Sequence, residues 1–182
     1  MRIIAGKFKG RRLASVRGQV RPTPERLRES FFSILGSEVE GSVWLDAFAG
    51  SGAVGLEALS RGASRVIFNE KDPVALRTLT RNLEICGVSE EAEVLRLDVF
   101  TCLRRLSGFT LSHIYVDPPY QFGRYAELLK QVTESKAFDP SFTKIFLEVF
   151  KKTRVSLEGL NLDVVRIVRS GDSHLYFLEV PT

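Results

Sequence analysis

Asp117-Pro118-Pro119-Tyr120 follows the apolar run Ile114-Tyr115-Val116, so a strand there would end in a carboxylate, two prolines and an aromatic ring. Proline fixes φ at about −65° and has no N–H to donate. The residue before each proline is also pushed out of the α region, which stiffens the turn further. Such a turn holds the Asp117 carboxylate and the Pro118 carbonyl as two acceptors pointing one way, with the Tyr120 ring alongside. Two acceptors beside a flat apolar face suit an exocyclic amino group on a planar base. A strand that simply stops at Pro-Pro is the alternative, and residues upstream decide between them.

Upstream, Val43-Trp44-Leu45-Asp46-Ala47-Phe48-Ala49 enters a glycine-rich turn, after which Leu56-Glu57-Ala58-Leu59 reads as helix. Gly50, Gly52 and Gly55 match G-x-G-x-x-G, the pattern of strand–turn–helix units that bind nucleoside cofactors. Glycine is needed where the backbone turns sharply and approaches a ligand closely. A second apolar run, Arg65 to Phe68, ends at Asn69-Glu70, and this acid lies about twenty residues beyond the glycines, the offset for gripping ribose hydroxyls. The turn is preceded by Asp46 in an otherwise apolar strand. Its carboxylate disfavours a pyrophosphate but accepts from a ligand amine, although a capping or turn acid also fits. S-adenosylmethionine has ribose, adenine, an α-amino group and a sulfonium, and no phosphate. A dehydrogenase would want a catalytic histidine, and His113 and His174, the two histidines present, read as structural or surface residues. The methyl donor is the better match.

Asp46-Ala-Phe-Ala-Gly-Ser-Gly52, Glu70 and Asp117-Pro-Pro-Tyr120 together resemble successive motifs of the class I S-adenosylmethionine-dependent methyltransferases that act on exocyclic amines. Arg2-Ile-Ile-Ala-Gly-Lys-Phe-Lys-Gly-Arg-Arg-Leu13 and Arg21-Pro-Thr-Pro-Glu-Arg-Leu-Arg-Glu-Ser-Phe-Phe32 narrow the likeness to the RsmD family, bacterial 16S ribosomal RNA guanine-N2 methyltransferases. It runs from the first residues to Gly171-Asp172-Ser173-His174, and Ala47 is a mild departure from a bulkier apolar residue. The resemblance implies catalytic roles for Asp117, Pro118 and Tyr120. It implies cofactor contacts at Asp46, Ala49, Gly50, Gly52, Glu70, Asp98 and Val99, with Thr23 and Arg28 as weaker candidates from the first helix. The expected partner is small-subunit ribosomal RNA, naked or within an assembling particle. The tetrad alone is shared with DNA adenine-N6 methyltransferases, and a non-catalytic RNA-binding or assembly protein could keep the same fold. The N-terminal pair of motifs favours the ribosomal substrate.

The chain has 182 residues, 44% of them hydrophobic, enough for one sizeable core. No apolar stretch is long enough for a membrane span, and no secretory h-region opens the chain. Cys86 and Cys102 form neither a C-x-x-C pair nor a His/Cys cluster, so no metal is expected and both read as reduced thiols of a cytoplasmic protein. Residues 1–30 hold nine Arg and Lys against two Glu, whereas the rest holds 17 basic and 20 acidic residues. A basic arm on a mildly acidic body suits a docked polyanion. Ile3, Ile4 and Phe8 interleave the charge and Gly6 and Gly10 supply turns, so a small hairpin lying across RNA through Lys7, Lys9, Arg11 and Arg12 is expected. The division is a basic extension over 1–22 and a methyltransferase unit over 23–182, one structural domain in all.

Periodicity supplies the elements that must position these residues. Thr23 reads as an N-cap with Pro24 in the first turn, followed by a stripe of Leu27, Phe31, Ile34 and Leu35 that Gly36 ends. Pro73 opens a helix to about Cys86, with Val74, Leu76, Leu79 and Leu83 apolar. A third strand falls near Val94–Leu97 and ends at Asp98, a fourth ends at Asp117, and a helix starts at Tyr125. Ile145–Val149 reads as a fifth strand, and Val164–Val168 with Leu175–Val180 as a closing hairpin about Ser170–Ser173. Strands alternating with helices predict a doubly wound, Rossmann-like α/β sheet, mostly parallel with one antiparallel strand from the hairpin. Acids then fall at the carboxyl ends of the first four strands, where open α/β sheets bind ligands. Each such acid taken singly also suits a turn or a cap.

Overall fold

The computed structural model describes residues 1–16, 23–119 and 121–181. Seven strands form one sheet in the order β3-β2-β1-β4-β5-β7-β6. They are β1 (Val43–Asp46), β2 (Arg65–Asn69), β3 (Ala92–Leu95), β4 (His113–Val116), β5 (Lys144–Phe150), β6 (Asp163–Ser170) and β7 (Ser173–Glu179). β1 to β5 run parallel, and β7 lies antiparallel between β5 and β6. This is the doubly wound, mostly parallel sheet with an antiparallel hairpin that the sequence predicts.

Alternation along the strands divides the core in two. Trp44, Phe68, Tyr115, Phe146 and Phe177 point to one face, where α1 (Glu25–Leu35), α2 (Ala53–Ser60) and α3 (Pro73–Cys86) pack. Leu45, Ile67, Ile114, Val116, Ile145 and Leu147 point to the other, under α4 (Val99–Arg105) and α5 (Tyr125–Thr133). Helices on both faces explain why the parallel strands read as near-continuous apolar runs. The order reverses between β1 and β4, so their carboxyl ends open the crevice in which such sheets take ligands.

The N-terminal arm is a hairpin, closed by an antiparallel bridge between Arg2 and Arg12. It is docked rather than free, because Ile3, Phe8 and Leu13 are buried in the same core as α1 and α2. Ile4 and Ala5 N–H donate to the Glu57 carboxylate, and Lys7 N–H to the Ser60 carbonyl at 2.7 Å. Gly6 makes this contact possible: a Cβ there would stand 1.7 Å from the Ser60 carbonyl oxygen, at a φ of +80°.

Three local expectations need correction. Thr23 does not cap α1; the N-cap position is Pro24, with no side-chain bond, and the Thr23 hydroxyl turns to Glu148 instead. The α1 stripe uses Phe32 where Ile34 was expected, and Ile34 is exposed. β3 ends at Leu95, not Leu97, because Asp98 is engaged as the N-cap of α4, accepting from Thr101 N–H at 3.1 Å.

Candidate active site

The turn after β1 is built around glycines with left-handed backbone or close neighbours. Gly50 and Gly52 have φ of 53° and 79°. A Cβ on Gly52 would lie 2.4 Å from Leu79, and one on Gly55 would lie 2.3 Å from Phe68, so α2 sits tightly on β2. Two acids hold the turn. Asp46 accepts from Gly55 N–H at 3.1 Å, one of the first-turn donors of α2 that lack an intrahelical partner. Glu70 accepts from Gly50 N–H and from Asp72 N–H, both at 2.8 Å. Asp72 caps α3 through the N–H groups of Val74 and Ala75.

Beside this turn stand two more acids. Val116 pairs with Leu147 across β4 and β5, so the next residues along, Asp117 and Glu148, are neighbours at the carboxyl ends of adjacent parallel strands. Glu148 is buried, and its Oε2 accepts from the Tyr115 hydroxyl at 2.6 Å and from the Thr23 hydroxyl at 3.0 Å. Burial, opposed by the Gly55 hydrogen bond, raises the Asp46 carboxyl to about 7. Burial and the charges of Glu148 and Asp46 raise Asp117 well above the usual carboxylate range. Burial and Glu148 likewise keep the Tyr115 phenol a donor. Three carboxylates under apolar cover repel one another, so the site disfavours a pyrophosphate and is relieved by a cation or by N–H donors.

Two adjoining cavities open here. The larger, about 630 Å³, runs from Glu70 and Asp98 on the β2–β3 side to Asp117, Pro118 and Glu148 on the β4–β5 side. The smaller, about 40 Å³, is lined by Thr23, Asp46, Ala49, Gly50 and Ser51 and shares Phe48 and Asp117 with the first. Phe122 meets Phe48 edge-on at 5.5 Å and stacks near Phe100 at 6.3 Å, making an aromatic wall. The Arg124 guanidinium lies 4.2 Å over the Phe100 ring and is held by Glu127. Asn69 Oδ1, in the wall of the large cavity, is buried with no donor among the described residues.

The structure therefore brings Asp117, Pro118, Asp46, Ala49, Gly50, Glu70, Asp98, Val99 and Thr23 to the cavities. Gly52 lines neither, and shapes the turn from behind. Asp98 also fulfils the capping alternative, with Thr101 holding its carboxyl below the usual range. Tyr120 lies outside the described residues. Arg28 is not in the cavities; it is buried beneath the arm and donates to the Arg2 carbonyl. Sequence reading missed Glu148, Phe48, Phe100, Phe122 and Arg124. Glu148 had a signal, a lone charge in the apolar run Ile145–Val149.

The arm's charges fall elsewhere. Lys7 pairs with Glu91 at 3.1 Å and Arg11 donates to the Ile85 carbonyl at 2.6 Å, while Lys9 and Arg12 are exposed. Ser60 and Ile85 lie in the last turns of α2 and α3, whereas the cavity sits at the first turn of α3. The 14 residues of α3 separate the two regions by about 20 Å.

The chain is similar to known proteins over most of its length. A family model described as conserved hypothetical protein 95 matches residues 1–179. YlbH of Bacillus subtilis (strain 168) is 40% identical over 139 residues, covering 74% of this chain and 74% of that protein. Ribosomal RNA small subunit methyltransferase D of Haemophilus influenzae is 34% identical over 154 residues, 83% of this chain and 79% of that one. The solved structure of yhhF from Escherichia coli superposes with a TM-score of 0.85 at 28% identity, covering 99% of this chain and 97% of the other.

Proposed function

The chain belongs to the RsmD family, whose model is described as conserved hypothetical protein 95, and from that premise we propose that it methylates N2 of a guanosine in small-subunit ribosomal RNA with S-adenosylmethionine as donor. Methyl transfer to ribosomal RNA is the coarser part of this reading and rests on the family. The position of the methyl group rests on Asp117-Pro118 at the cavity shared with Asp46. An RNA substrate of this kind goes with a cytoplasmic protein, and the RNA is taken naked or within an assembling particle.

The residues present suit the donor. The clustered carboxylates favour a cationic ligand, and the unpaired Asn69 Oδ1 offers a further acceptor. Asp46, Thr23, Ala49 and Gly50 would hold the amino-acid part, Glu70 the ribose, and Asp98 and Val99 the adenine. When bound, S-adenosylmethionine supplies an electrophilic methyl on a sulfonium.

The chain's own residues then act on the base. Guanine N2 is a poor nucleophile because its lone pair is delocalised into the ring. Asp117 and the Pro118 carbonyl, accepting from its two hydrogens, favour a pyramidal nitrogen and aim its lone pair. As the nitrogen takes the methyl that the donor would supply, Asp117 would accept the proton the amine releases and pass it on to solvent. Tyr120 would stack on the base, worth roughly 1–3 kcal/mol. The base must leave its own stack to reach this pocket. Orientation of the reacting groups can supply roughly 7–11 kcal/mol of the barrier.

The observation that carries the proposal is that Asp117 and Pro118, just past the end of β4, both line the large cavity, with Asp46 and Asp117 in the adjoining one. Asp117→Ala tests it. Turnover should fall by more than a hundredfold while binding of S-adenosylmethionine, read by calorimetry, changes less than about fivefold. Equal loss of both would remove Asp117 from the chemistry.

A further inference from the structure

Glu148 is a buried carboxylate that has no task in the transfer step. Its Oε2 is engaged by Thr23 and Tyr115, and among the described residues no hydrogen bond reaches Oε1. The side chain nevertheless lines the large cavity together with Asp117 and Pro118. A carboxylate is seldom buried unless donors satisfy it. Two donors converge on one oxygen and fix its orientation, and the remaining oxygen is free to accept from whatever fills the cavity.

Register makes the ligand group specific. Asp117 and Glu148 follow the paired residues Val116 and Leu147 on adjacent parallel strands, so their side chains leave the same face. Such strands lie about 4.8 Å apart, a spacing from which two acceptors can converge on neighbouring donors of one planar edge. Guanine presents two adjacent donors on its Watson–Crick edge, N1–H and the C2 amino group. Adenine presents an acceptor at N1, beside its amino group at C6.

We propose that Glu148 determines the choice of base, accepting from guanine N1–H while Asp117 and Pro118 hold the amino group, so that adenine is refused by two acceptors facing each other. This rests on the guanine-N2 reading given above and adds the residue that reads the base. Thr23 and Tyr115 are then positioning residues for Glu148. The first contacts it from the start of α1 and the second from β4, so the arm-covered face of the sheet also sets the geometry of the base pocket.

The probe is small-subunit RNA carrying 2-aminopurine at the methylated position, once that position has been located on the natural RNA by digestion and mass spectrometry. 2-Aminopurine keeps the amino group at C2 but has a bare N1. The wild-type protein should methylate it with a kcat/KM roughly 10- to 100-fold below that for guanine, the range that loss of a base-edge hydrogen bond gives. Glu148→Gln, whose amide can turn its N–H toward a bare N1, should lose guanine activity by a similar factor and erase or invert the preference. Equal use of both bases by the wild type would overturn the proposal, and so would a Glu148→Gln variant that loses both substrates by one factor. The wild-type comparison decides even if the variant fails to fold. Failure to methylate any guanine of the RNA would instead remove the reading on which the inference rests.

Discussion

At the scale of single residues, buried titrating groups set opposing pH dependences. Asp46 is raised to about 7, so the folded chain keeps a proton that the unfolded chain releases near pH 4. Its contribution to stability is present in acid and is lost as pH rises from about 4 to 7. His113, buried against Trp44 and Phe146, is lowered to about 4, chiefly by burial. Its contribution has the other sign, lost as pH falls from about 6.5 to 4. The two slopes partly cancel in the native protein, so the variants reveal them. Asp46→Asn should gain on the wild type by roughly 1–4 kcal/mol as pH rises through that window, read as melting temperature of the ligand-free protein. His113→Gln should gain as pH falls. A pH-independent difference in either case would contradict the burial that drives it. Asp46, Glu70 and Asp117 were legible because each ends an apolar run. Glu148 carried a weaker signal, a lone charge within an apolar strand, and nothing local shows that Tyr115 and Thr23 engage it beside the cavity. Thr23 was misread because Thr before Pro has the local pattern of a cap, and only a residue 125 positions away claims its hydroxyl.

At the scale of elements, close approach rather than propensity decides which glycines matter. Gly6 and Gly10 both take positive φ in the arm, at +80° and +84°, but a Cβ on Gly10 meets nothing within 4 Å. Gly10→Ala should cost about 1–2 kcal/mol for its left-handed backbone. Gly6→Ala adds a collision with the Ser60 carbonyl and should lower the melting temperature much further, freeing the arm from α2. Proteolysis of the first 16 residues would report the release, and comparable stability of the two variants would contradict the docking. The large elements followed from period and punctuation: Pro73 with Asp72 before it marks the start of α3, and Gly87 at φ 64° ends it. α4 escaped because its seven residues are too few for a periodic signal. β3 slipped by two residues because Arg96-Leu97 continues the alternation after the ladder has ended.

At the scale of the whole molecule, the arm's hairpin and the cavity lie toward opposite ends of α3, and the chain after the hairpin runs along α3 until Val16 joins the cavity wall. The charge asymmetry in the sequence predicted a basic face but not its position, since the docking of Ile3, Phe8 and Leu13 fixes it. Lys7 and Arg11 have partners within the protein, so Lys9 and Arg12 are the expected phosphate-binding side chains. Replacing both with Ala should weaken RNA binding and flatten its salt dependence by about 0.9 for each duplex phosphate no longer neutralised, or 0.7 for a single strand. An unchanged slope would place the docking surface elsewhere, with Lys71 and Arg124 at the cavity as the next residues to test. The most direct test of the central claim is transfer of labelled methyl from S-adenosylmethionine to unmodified small-subunit ribosomal RNA, naked and assembled, beside duplex DNA, with the product digested to nucleosides. N2-methylguanosine from the ribosomal substrate is the result predicted. N6-methyladenosine, or no transfer to ribosomal RNA in either form, would contradict it.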